Sequence, residues 1–175
     1  MLKLTLKDET LIIKCLLKNL VGIIPTDTVY GLVGIYGNVD VAHKIARLKF
    51  QKIVKPIAVI VSSIAMAKSI AVVNKKAIDL WKQSLPGKLT LILPSKVKIQ
   101  KTIAIRITVN SWLVNIINQT GPLYATSANI HGEKPITNIK DNILDADFIV
   151  EGNTINNEPS TIIDLTNDKY QIIRQ

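Results

Sequence analysis

The segment Val21-Gly22-Ile23-Ile24-Pro25-Thr26-Asp27-Thr28-Val29-Tyr30-Gly31-Leu32 decides how the rest of the chain is interpreted. Val21–Ile24 is a short apolar run rich in β-branched residues, and Pro25 ends it, so this run predicts a buried strand. Hydroxyls, a carboxylate and a phenol follow directly. Open α/β sheets bind ligands at their strand ends, where these side chains would be delivered. For the segment taken alone, a polar turn with Thr28 as a helix cap is the simpler interpretation.

Helix-like and strand-like patterns alternate along the chain. Apolar residues at helical spacing predict helices over Asp8–Asn19, Asp40–Lys49, Ser63–Ile70, Asn74–Trp81, Ser111–Asn118 and Asn138–Leu144. Short apolar runs predict strands over Val21–Ile24, Pro56–Val61, Leu89–Leu93, Thr102–Ile107, Pro122–Ala125, Phe148–Val150, Thr161–Leu165 and Tyr170–Ile173. The last two runs flank a turn-like Thr-Asn-Asp-Lys and predict a hairpin. The expected fold class is therefore α/β (α+β) with a mixed sheet, and residues 1–175 are expected to form a single domain.

The charge of the chain is strongly positive. Its 175 residues include 22 Lys and Arg against 13 Asp and Glu, a net charge of +9. Such an excess attracts polyanions, namely nucleotides, RNA or anionic lipid. A Lys-rich solubilising surface explains the same charge without any partner.

Composition also argues against several classes of function. The one cysteine, Cys15, excludes an internal disulfide and a Cys-cluster metal site, and two histidines are too few for a His-rich one. No metal-binding residue is assigned. The residues Met1–Thr10 carry charges where a signal peptide has its apolar stretch, and no apolar run is long enough to span a bilayer. The expected location is cytoplasmic, with no membrane association.

Four further polar segments interrupt the apolar framework: Arg47–Pro56, Leu85–Leu91, Thr102–Arg106 and Ala125–Asn129. Strand alternation places Arg106 on the same face as Thr102 and Ala104. An Arg in an apolar strand is costly unless it is paired, and an internal carboxylate and a substrate anion are both open as its partner. Ser127 has no general base nearby in the sequence, so it is not interpreted as a hydrolase nucleophile. Neither standard Gly-rich phosphate loop is present.

In combination and in order, these segments resemble the YrdC-like domain family of threonylcarbamoyl-AMP synthases. The matching segments are Pro25–Leu32, Lys49 through Lys55-Pro56, Pro86–Leu93, Ala104–Arg106, Pro122–Asn129 with Gly132, and Ser160–Asp164 with Ile173-Arg174. The resemblance runs from residue 25 to residue 174. It implies a twisted mixed sheet with flanking helices around a basic concave cavity.

The resemblance also implies an activity. Enzymes of this family are nucleotidyltransferases that join L-threonine, bicarbonate or CO2, and ATP into threonylcarbamoyl-adenylate and pyrophosphate. Other proteins then transfer the threonylcarbamoyl group to tRNA. Mg2+ is implied together with ATP, and direct binding of tRNA stays open.

Site residues follow from the same resemblance, position by position. Threonine would contact Thr28, Lys55, Arg106, Ser127 and Ser160. ATP would contact Lys49, Lys52, Thr102, Asn129, Thr137 and Arg174. No catalytic residue is assigned.

One departure from the family concerns ATP. The family's Lys-x-Arg motif reads Lys49-Phe50-Gln51 here, and Gln51 cannot supply a cationic fork to a phosphate. Lys52 is the nearest residue that could replace the family Arg as a cation.

This departure is the best argument for an alternative function, a non-catalytic basic RNA-binding module. The chain has few aromatic residues to stack bases, which counts against that alternative. A carbamoylation accessory domain, such as the one inside hydrogenase-maturation proteins, is a third interpretation, and the lack of Cys-rich zinc segments opposes it.

Overall fold

The computed structural model describes residues 1–51, 56–84, 88–97, 100–155, 157–167 and 170–174. Its strands are β1 (Leu2–Thr5), β2 (Gly22–Pro25), β3 (Tyr30–Ile35), β4 (Ala58–Val61), β5 (Leu89–Pro94), β6 (Thr102–Ile107), β7 (Leu123–Ser127), β8 (Phe148–Glu151), β9 (Thr161–Asp164) and β10 (Gln171–Arg174). Its helices are α1 (Glu9–Leu17), α2 (Val39–Leu48), α3 (Ile64–Ile70), α4 (Lys75–Ser84) and α5 (Ser111–Thr120). A 3-10 turn covers Ile139–Asp141.

These strands form one mixed sheet in the order β1-β8-β2-β3-β7-β4-β6-β5-β9-β10. Strand β8 is parallel to both β1 and β2, β4 is parallel to β6, and β5 is parallel to β9. The other neighbouring pairs are antiparallel. The predicted C-terminal hairpin is β9 and β10, with Gln171 opposite Asp164. The expected mixed sheet with flanking helices is thus confirmed.

Helices cover both faces of the β2, β3 and β7 part of the sheet. On one face, α1 and α5 pack against Ile24 and Val33. On the opposite face, Val41 and Ile45 of α2 pack with Ile23. The two sides of the same strands therefore enter different apolar clusters, as the alternation of side chains along a strand requires.

At β5 and β6, helices α3 and α4 pack on one face of the sheet. Ile103, Ile105 and Ile107 pack in an apolar cluster with α3 and α4. The alternating residues Thr102, Ala104 and Arg106 face the other way and line a cavity. The predicted common face for these three side chains is confirmed.

Two strands and one helix differ from the expectations. Strand β1 was not predicted because only Leu4 of its four residues is buried, so it lacks an apolar run. Strand β3 begins at Tyr30, inside the segment that was interpreted as a polar turn. The helix predicted over Asn138–Leu144 is wrong beyond the 3-10 turn, because Asn142 bonds Leu144 through its side chain and its backbone is extended.

No helix among the described residues has the length and apolar character needed to cross a membrane.

Candidate functional site

A cavity of about 420 Å3 lies on the face of β5 and β6 that α3 and α4 leave open. Seven of the predicted site residues line it: Thr28, Lys49, Thr102, Arg106, Ser127, Ser160 and Arg174. Sheet order explains this convergence, since β6 and β5 lie side by side and β5 is followed by β9 and β10. The side chains come from positions spread between residues 28 and 174.

Four predicted residues stand apart from this set. Lys52 and Lys55 lie outside the described residues. Asn129 does not line the cavity, but it contacts Lys49, which does. Thr137 does not line the cavity either, and its carbonyl accepts a hydrogen bond from the amide of Ile155. Its assignment to ATP stays a prediction.

Arg106 is the most deeply buried cation that faces the cavity from the sheet. The residue is 6% exposed. Its Nη1 donates to the hydroxyl of Thr28, and its Nη2 lies 3.1 Å from Oδ1 of Asp27. Of the two partners that the sequence left open, the internal carboxylate is present, because Asp27 pairs with Arg106. Burial lowers the pKa of Arg106, and the charge of Asp27 opposes that fall.

The turn between β2 and β3 holds Thr28 in place. The hydroxyl of Thr26 donates to the carbonyl of Val29 at 2.6 Å and accepts from the amide of Thr28 at 3.2 Å. This local bonding is typical of Thr in turns. Thr28 therefore places its hydroxyl beside Arg106 from a turn whose conformation is fixed by the hydrogen bonds of Thr26.

A second polar group lies at the β5–β9 side of the cavity. The hydroxyls of Thr90 and Ser160 are 2.8 Å apart. Arg174 of β10 donates through Nη2 and Nε to the carbonyl of Ser160, at 2.7 and 3.0 Å. The charge of Arg174 also contributes to lowering the pKa of Arg106, so the two guanidinium groups repel each other across this part of the cavity. An anion bound between them would relieve that repulsion.

Lys49 enters the cavity from the end of α2. Phe50 follows it in the left-handed region, with φ 53°, and the amide of Gln51 donates back to the carbonyl of Ala46 at 3.0 Å. This closes the helix end. Lys49 itself is only 3% exposed.

All three donors of the Lys49 ammonium group have an acceptor. Nζ lies 2.5 Å from the carbonyl of Ser127, 2.7 Å from that of Asn129 and 3.2 Å from Asn129 Oδ1. The carbonyl of Lys49 accepts from the amide of His131. Lys49 thus fixes the loop that follows β7, and in this arrangement its donors point at the protein. Its contact with ATP stays a prediction.

Gln51, at the position of the family Arg, also lines the cavity. Its Nε2 lies 3.5 Å from Nδ1 of His131. The residue thus contributes an amide to the wall where a guanidinium was expected from the family motif.

Four polar residues in or beside the cavity received no role from the sequence: Thr26, Asp27, Thr90 and Thr126. Asp27 and Thr26 belong to the quoted segment, but the contact of Asp27 with Arg106 spans 79 positions and leaves no local signal. Thr90 could have been found from strand alternation, because it lies opposite Arg106 in the β5–β6 register.

The next feature is the set of side chains that could bind a metal ion. Within the described residues, no group of three or more His, Cys, Asp or Glu side chains is placed to hold a metal ion. The cavity is instead built from cations, hydroxyls and apolar walls. The fold and this cavity define the class of protein as an α/β protein with a basic cavity.

Comparison with known proteins identifies the family. Residues 14–175 match the Sua5/YciO/YrdC family model, described as "Telomere recombination", and the chain belongs to this family.

The relatives include enzymes named for one activity. A putative threonylcarbamoyl-AMP synthase of Methanocaldococcus jannaschii is 32% identical over 162 residues, which are 86% of this chain and 76% of that protein. P. abyssi Sua5, solved in complex with L-threonine, superposes with a TM-score of 0.88 at 23% identity, over 99% of this chain but only 56% of that longer chain. E. coli YciO superposes with a TM-score of 0.85 at 21% identity, over 99% of this chain and 93% of its own.

The buried ammonium group of Lys49 predicts a pH dependence of stability. Burial lowers the pKa of Lys49 from 10.5 to about 8. Between about pH 8 and pH 10.5, Lys49 is protonated in the unfolded chain but deprotonated in the folded chain. The contribution of Lys49 to the free energy of unfolding therefore rises with pH. The free energy of unfolding of the wild-type protein, minus that of Lys49→Met, should increase by about 2 kcal/mol from about pH 7 to about pH 10.

Denaturant unfolding across this pH range measures the difference. Lys14→Met, at an exposed position of α1, serves as the control and should show no such increase. A wild-type minus Lys49→Met difference that stays constant with pH would show that the Lys49 pKa is ordinary.

Proposed function

We propose that this protein is a threonylcarbamoyl-AMP synthase, which joins L-threonine, bicarbonate or CO2, and ATP into threonylcarbamoyl-adenylate and pyrophosphate. The observation that carries the proposal is Arg106, a buried guanidinium that faces a basic cavity beside the Thr28 hydroxyl. The activity named for the M. jannaschii relative and the threonine held by P. abyssi Sua5 support it.

The threonine carboxylate is assigned to Arg106. A guanidinium offers several N–H donors in a fixed plane, and two of its directions are taken by Thr28 and Asp27. A carboxylate binds such a planar fork well. Ser160, held by Thr90 and Arg174, supplies a further polar contact on the same side of the cavity.

The chemistry then proceeds in two steps. The neutral amine of threonine attacks CO2, forming a C–N bond and releasing a proton, which gives a carbamate. A carbamate oxygen attacks the α-phosphorus of ATP, the bond to the β-phosphate oxygen breaks, and pyrophosphate leaves. Both reactants in the second step are anionic, so cations around the cavity stabilise their approach and the developing charge.

Positioning accounts for most of the catalysis in this scheme, as in other transfers at phosphorus. No lining residue is assigned as a general base, and the proton released when the carbamate forms passes to solvent. Arg174 lies where it could stabilise phosphate oxygens, since it faces the cavity from β10. Mg2+ enters with ATP as part of the substrate, and no residue of this chain is assigned as its ligand.

The product would serve tRNA modification. Threonylcarbamoyl-adenylate is a mixed anhydride that other proteins would use to transfer the threonylcarbamoyl group to tRNA, and such a role places the protein in the cytoplasm. The alternative function, a non-catalytic RNA-binding module, predicts no threonine-dependent turnover of ATP.

Replacement of Arg106 tests the assignment of the threonine carboxylate. Arg106→Lys keeps a positive charge beside Asp27 but removes the planar fork, so the fold should be retained. The KM for threonine should rise by about tenfold or more, while the Kd for ATP should change little. Threonine-dependent pyrophosphate release and ATP titration provide the two values.

Arg47→Lys, at an exposed position of α2, is the matched control and should leave both values unchanged. An unchanged KM for threonine in Arg106→Lys would remove Arg106 from the threonine site.

Gln51→Arg tests the departure from the family motif. The added guanidinium would face the cavity and form charge-assisted hydrogen bonds with ATP phosphates. The Kd for ATP should fall by about tenfold, as measured by calorimetry. Gln83→Arg, an exposed change on α4 outside the cavity lining, controls for the added charge alone. An equal Kd for Gln51→Arg and the wild-type protein would argue that another cation, such as Lys52, already contacts the phosphates.

A further inference from the structure

The carboxylate of Asp27 takes no part in the proposed contacts with threonine or ATP, yet it is buried beside them. Its side chain is 13% exposed. Its ion pair is with Arg106, and the hydroxyl of Thr108 and the backbone amide of Asp27 also interact with the carboxylate. Burying a carboxylate costs free energy even with such partners. Burial accordingly raises the pKa of Asp27, and the charge of Arg106 and these two hydrogen-bonding groups oppose that rise.

Asp27 is also an exception to the charge pattern around the cavity. Among the described residues that line the cavity there is no Asp or Glu, whereas Lys49, Arg106 and Arg174 all line it. A cavity with these cations alone would favour anions of high charge, because the attraction grows with the charge of the anion. Asp27 contacts Arg106 from outside the lining and offsets part of its field.

This offset affects singly and doubly charged anions differently. The cost of removing an anion from water grows roughly as the square of its charge, whereas its attraction to a cation grows only in proportion. With Asp27 present, Arg106 still offers its N–H donors but a weaker net field. A carboxylate can accept hydrogen bonds from those donors. For a dianion, the attraction to the weakened field is smaller than the cost of its desolvation.

We propose that Asp27 determines the anion specificity of the Arg106 subsite, admitting a singly charged carboxylate and excluding doubly charged anions such as phosphate groups. The inference rests on the proposed function, which assigns the threonine carboxylate to Arg106 and places ATP in the same cavity. It has a functional consequence: ATP and pyrophosphate share this cavity, and Asp27 keeps their phosphates out of the threonine subsite.

The test compares the binding of sulfate and L-threonine to the wild-type protein and to Asp27→Asn. Sulfate carries two negative charges throughout the neutral pH range and does not react. The Asn side chain keeps the shape of Asp and removes its charge. Calorimetry should give a sulfate Kd at least about tenfold lower in Asp27→Asn than in the wild-type protein, with a clearly smaller gain for threonine. Asp79→Asn, an exposed change on α4, removes the same charge away from the cavity and should leave the sulfate Kd unchanged.

Thermal unfolding covers the case in which Asp27→Asn is too unstable for calorimetry. A ligand that binds only the folded state raises the Tm. Sulfate should therefore stabilise or refold Asp27→Asn more strongly than it stabilises the wild-type protein.

A sulfate affinity that is unchanged or weakened in Asp27→Asn would overturn the proposal, because a purely structural role for Asp27 predicts weaker binding of both ligands. Failure of the wild-type protein to bind threonine would instead contradict the proposed function. The sulfate comparison would still decide the role of Asp27, since it needs no threonine.

Discussion

The burial of a guanidinium group on a strand whose other side chains are mostly apolar is the constraint on which the site depends. Arg106 lies on β6 between strands whose other faces form the core, and such a charge is tolerated only with partners. Asp27 and Thr28 supply those partners from the turn between β2 and β3. The turn, the strand order and the open face of β5 and β6 thus combine to hold one cation at the cavity wall.

A second buried cation, Lys49, organises another part of the cavity wall. The ammonium group of Lys49 satisfies carbonyl groups of the loop after β7, so α2 and that loop are fixed relative to each other. The two cations differ in the number of N–H donors available to a ligand. Arg106 has N–H groups beyond those that contact Thr28 and Asp27, whereas the three donors of Lys49 all have acceptors in the protein. This difference is the reason why the proposed function assigns the threonine carboxylate to Arg106 and not to Lys49.

Local patterns in the sequence predicted much of this arrangement. Alternation along Thr102–Ile107 placed Arg106 correctly beside Thr102 and Ala104, and the turn-like residues after Leu165 predicted the β9–β10 hairpin. Strand β3 was missed because its start coincides with the polar segment. The pairing of Asp27 with Arg106 could not be read from one sequence, since it depends on the order of strands β2, β3, β7, β4 and β6 in the sheet.

The most direct test of the account is the identification of the reaction product. The purified protein is incubated with L-threonine, 13C-labelled bicarbonate and MgATP, and the mixture is analysed by mass spectrometry. The account predicts threonylcarbamoyl-adenylate that carries one 13C atom, formed only when all three substrates are present. Its absence, in a folded protein that binds both threonine and ATP, would contradict the claim that this cavity is the active site of a threonylcarbamoyl-AMP synthase.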